Sequence, residues 1–406
     1  MTIASSRFGV RTEVINGAGV RSMLPELLRG LGARRAVLFT DQGLNRAGIT
    51  EKITELFQEM PESVQLVGVF DEIEQDAKAE NINKAAMFVK ECQGDALIAL
   101  GGGSVLDACK ATKWLLHKNH PDIRDLMQGS TRETWPQVQP IPIPHIAIPT
   151  TAGTGSEVSP IAVVYNDRLQ IKTNLSSPFI SADIALLDPE LTVGLPPRIT
   201  AFTGYDALTH AVEAYFSPRA NPMTDAFALH ATKIIVANLP KAVSTGTDLQ
   251  ARSNMLMASA MAITSFSLAI TAIPVHNMAH AFGAKIGIPH GLANAVLLPN
   301  VMAALPHLYL PRINGFAEAL GLSVHDVEPQ ACLEQVIACI RELRSEIGLP
   351  DSFAEFGFDE KRIADMVPAV LSDPTALAFK IPSDTIVQIC QEVAGAPLSV
   401  QEESSR

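Results

Sequence analysis

Histidines and one aspartate in the second half of the chain stand at spacings that suit metal binding. Asp206 and His210 lie four residues apart in Gly204-Tyr-Asp-Ala-Leu-Thr-His-Ala-Val-Glu-Ala-Tyr215, so on a helix both project from one face. His276 and His280 repeat that spacing in His276-Asn-Met-Ala-His280, and His290 follows in Ile288-Pro-His-Gly291. One carboxylate and up to four imidazoles, in surroundings poor in charge, can make a site for a divalent ion. Taken singly, each histidine fits a hydrogen-bonded core position; taken as a set, they argue for metal. The H-x-x-x-H spacing is not that of a zinc peptidase, whose general base is a glutamate directly after the first histidine. Asn277 stands there and cannot take a proton. His117, His120, His307 and His325 lie in polar or loop contexts and read as surface residues.

A second kind of chemistry is written in two loops of small residues. Asp95-Ala-Leu-Ile-Ala-Leu100-Gly-Gly-Gly-Ser104-Val-Leu-Asp107-Ala-Cys-Lys110 reads as a buried strand, a three-glycine turn and a helix opening with Ser104 as its cap. Glycines let backbone approach a ligand, and the free N–H groups at the positive end of a helix attract phosphate. The run matches neither G-x-G-x-x-G nor the Walker pattern, so alone it is equally a tight turn. Pro149-Thr-Thr-Ala-Gly-Thr-Gly155-Ser-Glu157 follows another apolar strand, and its hydroxyls beside bare backbone suit a sugar or a phosphate. Two such loops at strand ends of one parallel sheet lie on the same edge, where α/β proteins bind nucleotides. Asp41 ends the strand Ala36 to Thr40, where a carboxylate either accepts ribose hydroxyls and repels a 2′-phosphate, or starts a turn before Gly43.

The elements that must position these residues fall into two regimes. Ala36 to Phe39, Val64 to Phe70, Ala96 to Leu100 and Ile146 to Ile148 read as strands, with amphipathic helices over Glu51 to Glu59 and Asn81 to Cys92 between them. Such alternation implies a parallel sheet covered on both faces. Trp135 to Pro149 carries five prolines and suits an extended crossing or an edge strand. Ile161 to Tyr165 and Gln170 to Leu175 form a hairpin around Asn166-Asp167, and Ile184 to Leu187 is a last strand. Beyond Pro196 only helical runs follow: Ile199 to Tyr215, Met223 to Leu239, Ala251 to Ile270, Gly291 to Ala304, Pro311 to Leu320 and Pro329 to Ile347. The expected boundary lies near residues 190 to 196, giving an α/β domain over 1–192 and an all-helical domain over 193–406.

Composition removes other classes. The 406 residues hold 31 basic and 43 acidic side chains, a net charge of −12, without the cluster of Lys and Arg that nucleic acid requires. Met1 to Asn16 lacks the apolar core of a secretory signal, and five cysteines without a C-x-x-C pair fit reduced core thiols, so a cytoplasmic enzyme is expected. Ser253 to Ala284 contains no Asp, Glu, Lys or Arg. Its Ser, Thr, His and Asn residues and Pro274 fit a buried helix pair better than a membrane span.

GGGSVLDACK, PTTAGTGSEVSP, GYDALTHAVEAY and VHNMAHAFGAKIGIPHG together resemble the iron-containing (group III) alcohol dehydrogenase family, in family order and over nearly the whole chain. The resemblance implies an N-terminal α/β, Rossmann-like dinucleotide-binding domain and an all-α C-terminal domain, the dehydroquinate synthase-like architecture. It places metal ligands on Asp206, His210, His276 and His290, and a non-ligating histidine near the nicotinamide on His280, whereas spacing alone would pair His276 with His280. Cofactor residues fall on Asp41, Gly101, Gly102, Gly103 and Ser104 with Asp107, on Thr150, Thr151 and Thr154, and on Lys172. The chain departs from the family where N-P-T is replaced by Gln75-Asp76-Ala77 and where N-P-R is missing around Ala376 to Pro382. The implied chemistry is hydride transfer between a small primary alcohol and NAD, assisted by Fe(II), with Zn(II) or Mn(II) as substitutes, in a homodimer or higher homo-oligomer. The alternatives are a lyase of dehydroquinate synthase type, a reductase of a monoanionic hydroxy or oxo acid, and a non-catalytic nucleotide or metal module. The charge-free Ser253–Ala284 stretch speaks against a phosphorylated substrate.

Overall fold

The computed structural model describes residues 8–58, 64–377 and 379–394. Glu59 and Met1 to Arg7 therefore lie outside the described residues. Short apolar runs form nine strands among them: β1 (Glu13–Asn16), β2 (Arg35–Phe39), β3 (Gln65–Phe70), β4 (Ala96–Gly101), β5 (Thr131–Arg132), β6 (His145–Pro149), β7 (Ile161–Asn166), β8 (Ile171–Ser176) and β9 (Ile184–Leu187). Six pair in parallel in the order β1-β9-β6-β4-β2-β3. Alternate residues serve two cores, Val37, Phe39, Leu97 and Ala99 on one face and Ala36, Leu38, Ala96, Ile98 and Leu100 on the other. Burial on both faces is why these strands read as unbroken apolar runs.

β7 and β8 form the expected antiparallel hairpin, joined by β5 into a second, three-stranded sheet. Asn166 shapes the turn by accepting from the N–H groups of Arg168 and Leu169. The proline-rich stretch crosses without regular structure over residues 133–144 and then enters β6. β6 is not an edge strand but lies between β4 and β9. Its prolines bracket the ladder: Pro144 precedes the strand and Pro149 ends it, leaving His145 to Ile148 free to pair.

No described residue after Leu187 is in a strand. The helices that bear on the site are α1 (Gln42–Arg46), α2 (Gly103–Lys118), α3 (Pro197–Tyr215), α4 (Pro222–Ser244), α5 (Leu249–Ala269), α6 (Pro274–Ile286), α7 (His290–Ala304) and α8 (Ile363–Ser372). By packing, the chain divides into two compact units, one reaching Tyr215 and including Arg219–Ile270, the other formed by Phe216–Pro218 and the chain from Thr271. Within the first, α3, α4 and α5 pack on one another; within the second, α6 packs against both α7 and α8. The charge-free stretch folds as α5 and α6 with a break at Ile270–Ile273, and no single described helix is long and apolar enough to cross a membrane. All five cysteines are free, with Cys109, Cys332 and Cys390 buried.

Candidate active site

The strand order reverses between β2 and β4: β3 lies outside β2, and β4 takes its other side. Ligands of open α/β sheets bind beyond the strand ends at such a point. Asp41, Gly43, Arg46, Gln75, Gly102 and Ser104 are among the walls of a cleft of about 410 Å³ there.

The glycine turn differs from expectation in one detail. Gly102 is the N-cap of α2, Gly103 its first residue, and Ser104 lies inside the first turn. The Ser104 hydroxyl instead accepts from the N–H of Asp76 at 3.0 Å. The turn comes closest to the threonine loop at Gly103, the residue after the cap, rather than at the cap itself. A Cβ at Gly103 would sit 2.8 Å from Thr154 Cγ2, and Thr151 lies against Gly102. Gly101 pairs with Pro149 in the ladder, and the Thr150 N–H donates to the Gly101 carbonyl at 3.0 Å. Gly155 bends the second loop back at a φ of +58°, where a Cβ would meet Ile263 at 2.3 Å. The structure thus brings Gly101, Gly102, Gly103, Thr150, Thr151 and Thr154 together beside the N-terminus of α2.

Asp41 serves as the N-cap of α1, its Oδ1 accepting from the Leu44 N–H at 3.0 Å. Cap and ribose acceptor are compatible roles, since an ionised carboxylate offers about four acceptor sites. Asp107 is engaged within the protein. Its Oδ1 accepts from the Ser156 hydroxyl and meets Lys110 Nζ at 2.9 Å, while Oδ2 accepts from the Val163 N–H at 3.0 Å. It ties α2 to the threonine loop and to β7. Lys172 Nζ donates to Asp76 Oδ1 at 2.7 Å. Asp76 and Ala77 both take left-handed backbone angles, φ 71° and 46°, so the departure from N-P-T is also a strained corner. Asp76 joins β8 to the glycine turn, a role that sequence motifs did not reveal. Glu157 closes the threonine loop, and burial pushes its carboxyl up to about 7 against the opposing pull of its backbone hydrogen bond and Lys110.

In the first unit, Asp206 and His210 stand four residues apart on α3 and are 3% and 6% exposed. His210 lies edge-on to Phe266 of α5, with centroids 4.9 Å apart. In the second unit, α6 carries His276 and His280, and His290 is the first residue of α7. Their ring centroids are 5.3 Å apart for His276 and His290, 5.2 Å for His280 and His290, and 6.4 Å for His276 and His280. Asn294, one turn after His290 and fully buried, places Nδ2 3.5 Å from His276 Nε2 and 3.4 Å from His290 Nε2. His280 instead turns Nδ1 towards Asp373. His117, His307 and His325 are exposed and His120 is half-buried.

Comparison with known proteins extends this picture. The iron-containing alcohol dehydrogenase model matches residues 11–189, and the model of the C-terminal part of the Fe-containing alcohol dehydrogenase family matches residues 200–393. The 1,3-propanediol dehydrogenase of Klebsiella pneumoniae is 36% identical over 89% of this chain and 91% of its own. The NAD-dependent methanol dehydrogenase of Bacillus methanolicus is 33% identical over 88% of this chain and 91% of its own. Among solved structures, a 1,3-propanediol oxidoreductase superposes with a TM-score of 0.87 at 34% identity, covering 95% of this chain and 99% of that one. The alcohol dehydrogenase from Oenococcus oeni does so with a TM-score of 0.86 at 30% identity, covering 96% and 100%.

The chain belongs to the iron-containing alcohol dehydrogenase family, with that family's α/β N-terminal domain and all-helical C-terminal domain. It is an NAD-linked oxidoreductase of this family, whose substrates are alcohols and aldehydes.

Proposed function

We propose that the protein interconverts a small neutral primary alcohol and its aldehyde with NAD, using Fe(II) held by Asp206, His210, His276 and His290, a set that also suits Zn(II) or Mn(II). The observation that carries this reading is the cluster of His276, His280 and His290 within the second unit, with ring centroids 5.2 to 6.4 Å apart, in a chain of this family. One carboxylate and neutral imidazoles suit a borderline divalent ion and leave it a net charge near +1. An ion held there would supply Lewis-acid polarisation of a substrate oxygen.

The remaining work falls to side chains and backbone. The turn at Gly101, Gly102, Gly103 and Ser104 and the N-terminus of α2 hold the pyrophosphate. Thr150, Thr151 and Thr154 offer hydroxyls to the cofactor, Asp41 takes the adenosine ribose, and Asp107 keeps the two loops in register. His280 relays the alcohol proton. The cofactor half is residues 1–192 and the metal half residues 193–406. The five free thiols fit a reducing, cytoplasmic compartment, and the enzyme works as a homodimer or higher homo-oligomer.

Substrate charge follows from two features. Ser253–Ala284 offers no cation to a phosphorylated substrate, which disfavours the lyase reading. Lys172 and Lys285 are the two cations that could meet a monoanionic acid; Lys172 is paired with Asp76 at 2.7 Å, and Lys285 is exposed. The test is a panel of alcohols and aldehydes assayed with NAD(H) and NADP(H) on protein of known metal content. NAD-linked turnover of neutral substrates, abolished by chelation and restored by metal, is expected. Turnover that ignores metal content would overturn the proposal.

A further inference from the structure

The three clustered imidazoles of the second unit, His276, His280 and His290, are not equivalent. His276 and His290 share one neighbour, Asn294, through their Nε2 atoms. His280 faces another group: its Nδ1 lies 3.6 Å from Oδ1 of Asp373, the residue directly after α8. That distance is an ion-pair contact slightly longer than a hydrogen bond, and contacts of this kind tighten when substrate is bound. The two side chains are 16% and 13% exposed, so water competes little.

Asp373 is itself held in place. Its Oδ1 accepts from the N–H of Thr375 at 2.9 Å and from the Thr375 hydroxyl. Burial would push the carboxyl up, but His280 and Thr375 outweigh it and keep the group below the usual carboxylate range. The helices that carry the pair are clamped next to it, because Asn277 Nδ2 on α6 donates to the carbonyl of Val370 on α8 at 3.0 Å. Asp373 also sits just before the segment where the family's N-P-R is missing, so no motif marks it.

We propose that Asp373 is a positioning residue for His280: it holds the ring proton on Nδ1, fixes the ring's orientation, and leaves Nε2 as the atom that exchanges a proton. This inference rests on the assignment of His280 made above. A carboxylate behind an imidazole also supports metal ligands, so the test must separate the two roles.

Asp373→Asn, Asp373→Glu, Thr375→Val, His280→Ala and the double variant Asp373→Asn/His280→Ala would be compared as metal-loaded enzymes, with metal content and melting temperature measured for each. Asp373→Asn is expected to lower kcat about 10- to 100-fold, with KM and metal content near wild type. Asp373→Glu recovers part of the loss, and Thr375→Val moves in the same direction by less. The double variant is no slower than His280→Ala alone, because the carboxylate acts through the ring. Multiplying effects in the double variant, or a metal-free Asp373→Asn protein, would overturn the inference. A slow His280→Ala enzyme beside a fully active Asp373→Asn enzyme defeats the inference alone. A fully active His280→Ala enzyme removes the His280 assignment and the inference with it.

Discussion

Substituting Asp41 by serine and by glycine separates two duties of one carboxylate. As a cap it accepts from the Leu44 N–H at 3.0 Å, and α1 is only five residues long. Serine caps about as well as aspartate and glycine loses only a few tenths of a kcal/mol, so both variants should melt close to wild type. The charge matters more. A 2′-phosphate in place of the ribose hydroxyl would bring about two negative charges to roughly 5 Å from the carboxylate, which at an effective dielectric of about 40 to 80 costs about 1.7 to 3.3 kcal/mol. That is a discrimination of roughly 15- to 250-fold against NADP. Arg46 lines the same cleft and is left to attract the phosphate once the carboxylate is gone. Steady-state kcat/KM with NAD and with NADP, at saturating alcohol, should show a strong NAD preference in the wild type and its collapse in both variants. Equal efficiency with both cofactors in the wild type would refute the reasoning. A preference that survives in Asp41→Ser but not in Asp41→Gly would assign the effect to the cap instead of the charge.

Elemental analysis tests the ligand assignment: His276→Ala and His290→Ala should lose metal, while His280→Ala keeps it and loses rate. A metal-free His280→Ala protein would show that the pair suggested by spacing was the correct one. Glu157 predicts a pH dependence of stability, since its carboxyl moves from 4.5 to about 7 on folding. Both states hold the proton below 4.5; above it the unfolded chain releases the proton first, so wild-type stability falls by about 3 kcal/mol on the way to pH 7. Urea titrations of Glu157→Gln beside the wild type should show that difference appearing over this window, and a constant difference would mean that Glu157 is ionised in the native state. A neutral primary alcohol should exceed its phosphorylated analogue of equal length in kcat/KM, and a tenfold advantage for the phosphorylated compound would overturn the charge argument.

The fold was legible where burial is two-sided. β2, β4, β6 and β9 are inner strands, and runs such as Ala96 to Leu100 admit no reading but a buried strand between turn signals. β1 and β5 gave no such signal. Glu13-Val-Ile-Asn is an exposed edge whose partner is β9, far away in sequence, and β5 is two residues long. The position of β6 was misleading for the opposite reason. Five prolines argue for an extended crossing or an edge strand; residues 133–144 do cross, yet a proline only forbids donation at its own position, and the four residues between Pro144 and Pro149 have all the N–H groups an inner strand needs.

The candidate site divides along the same physical line. Asp206 with His210, and His276 with His280, stand out as candidates because spacing on a helix fixes which residues share a face, whereas His290 opens a separate helix and no periodicity links it to them; the small-residue loops stand out because such residues permit close approach of backbone. Asp76 and Asp373 were not legible, because each pairs with a partner about a hundred residues away, and Asp76 also lies in a stretch that departs from its family. The misplaced cap at Ser104 shows why local rules fail here. Serine is the better cap residue by propensity, but the helix starts one residue earlier than that rule places it, with Gly102 as cap and Gly103 packed on Thr154. With the cap at Gly102, the Ser104 hydroxyl holds the Asp76 backbone, the same corner whose carboxylate pairs with Lys172. Strand β8, the glycine turn and the strained corner are thus coupled through one residue, and a change at Asp76 should be felt at all three.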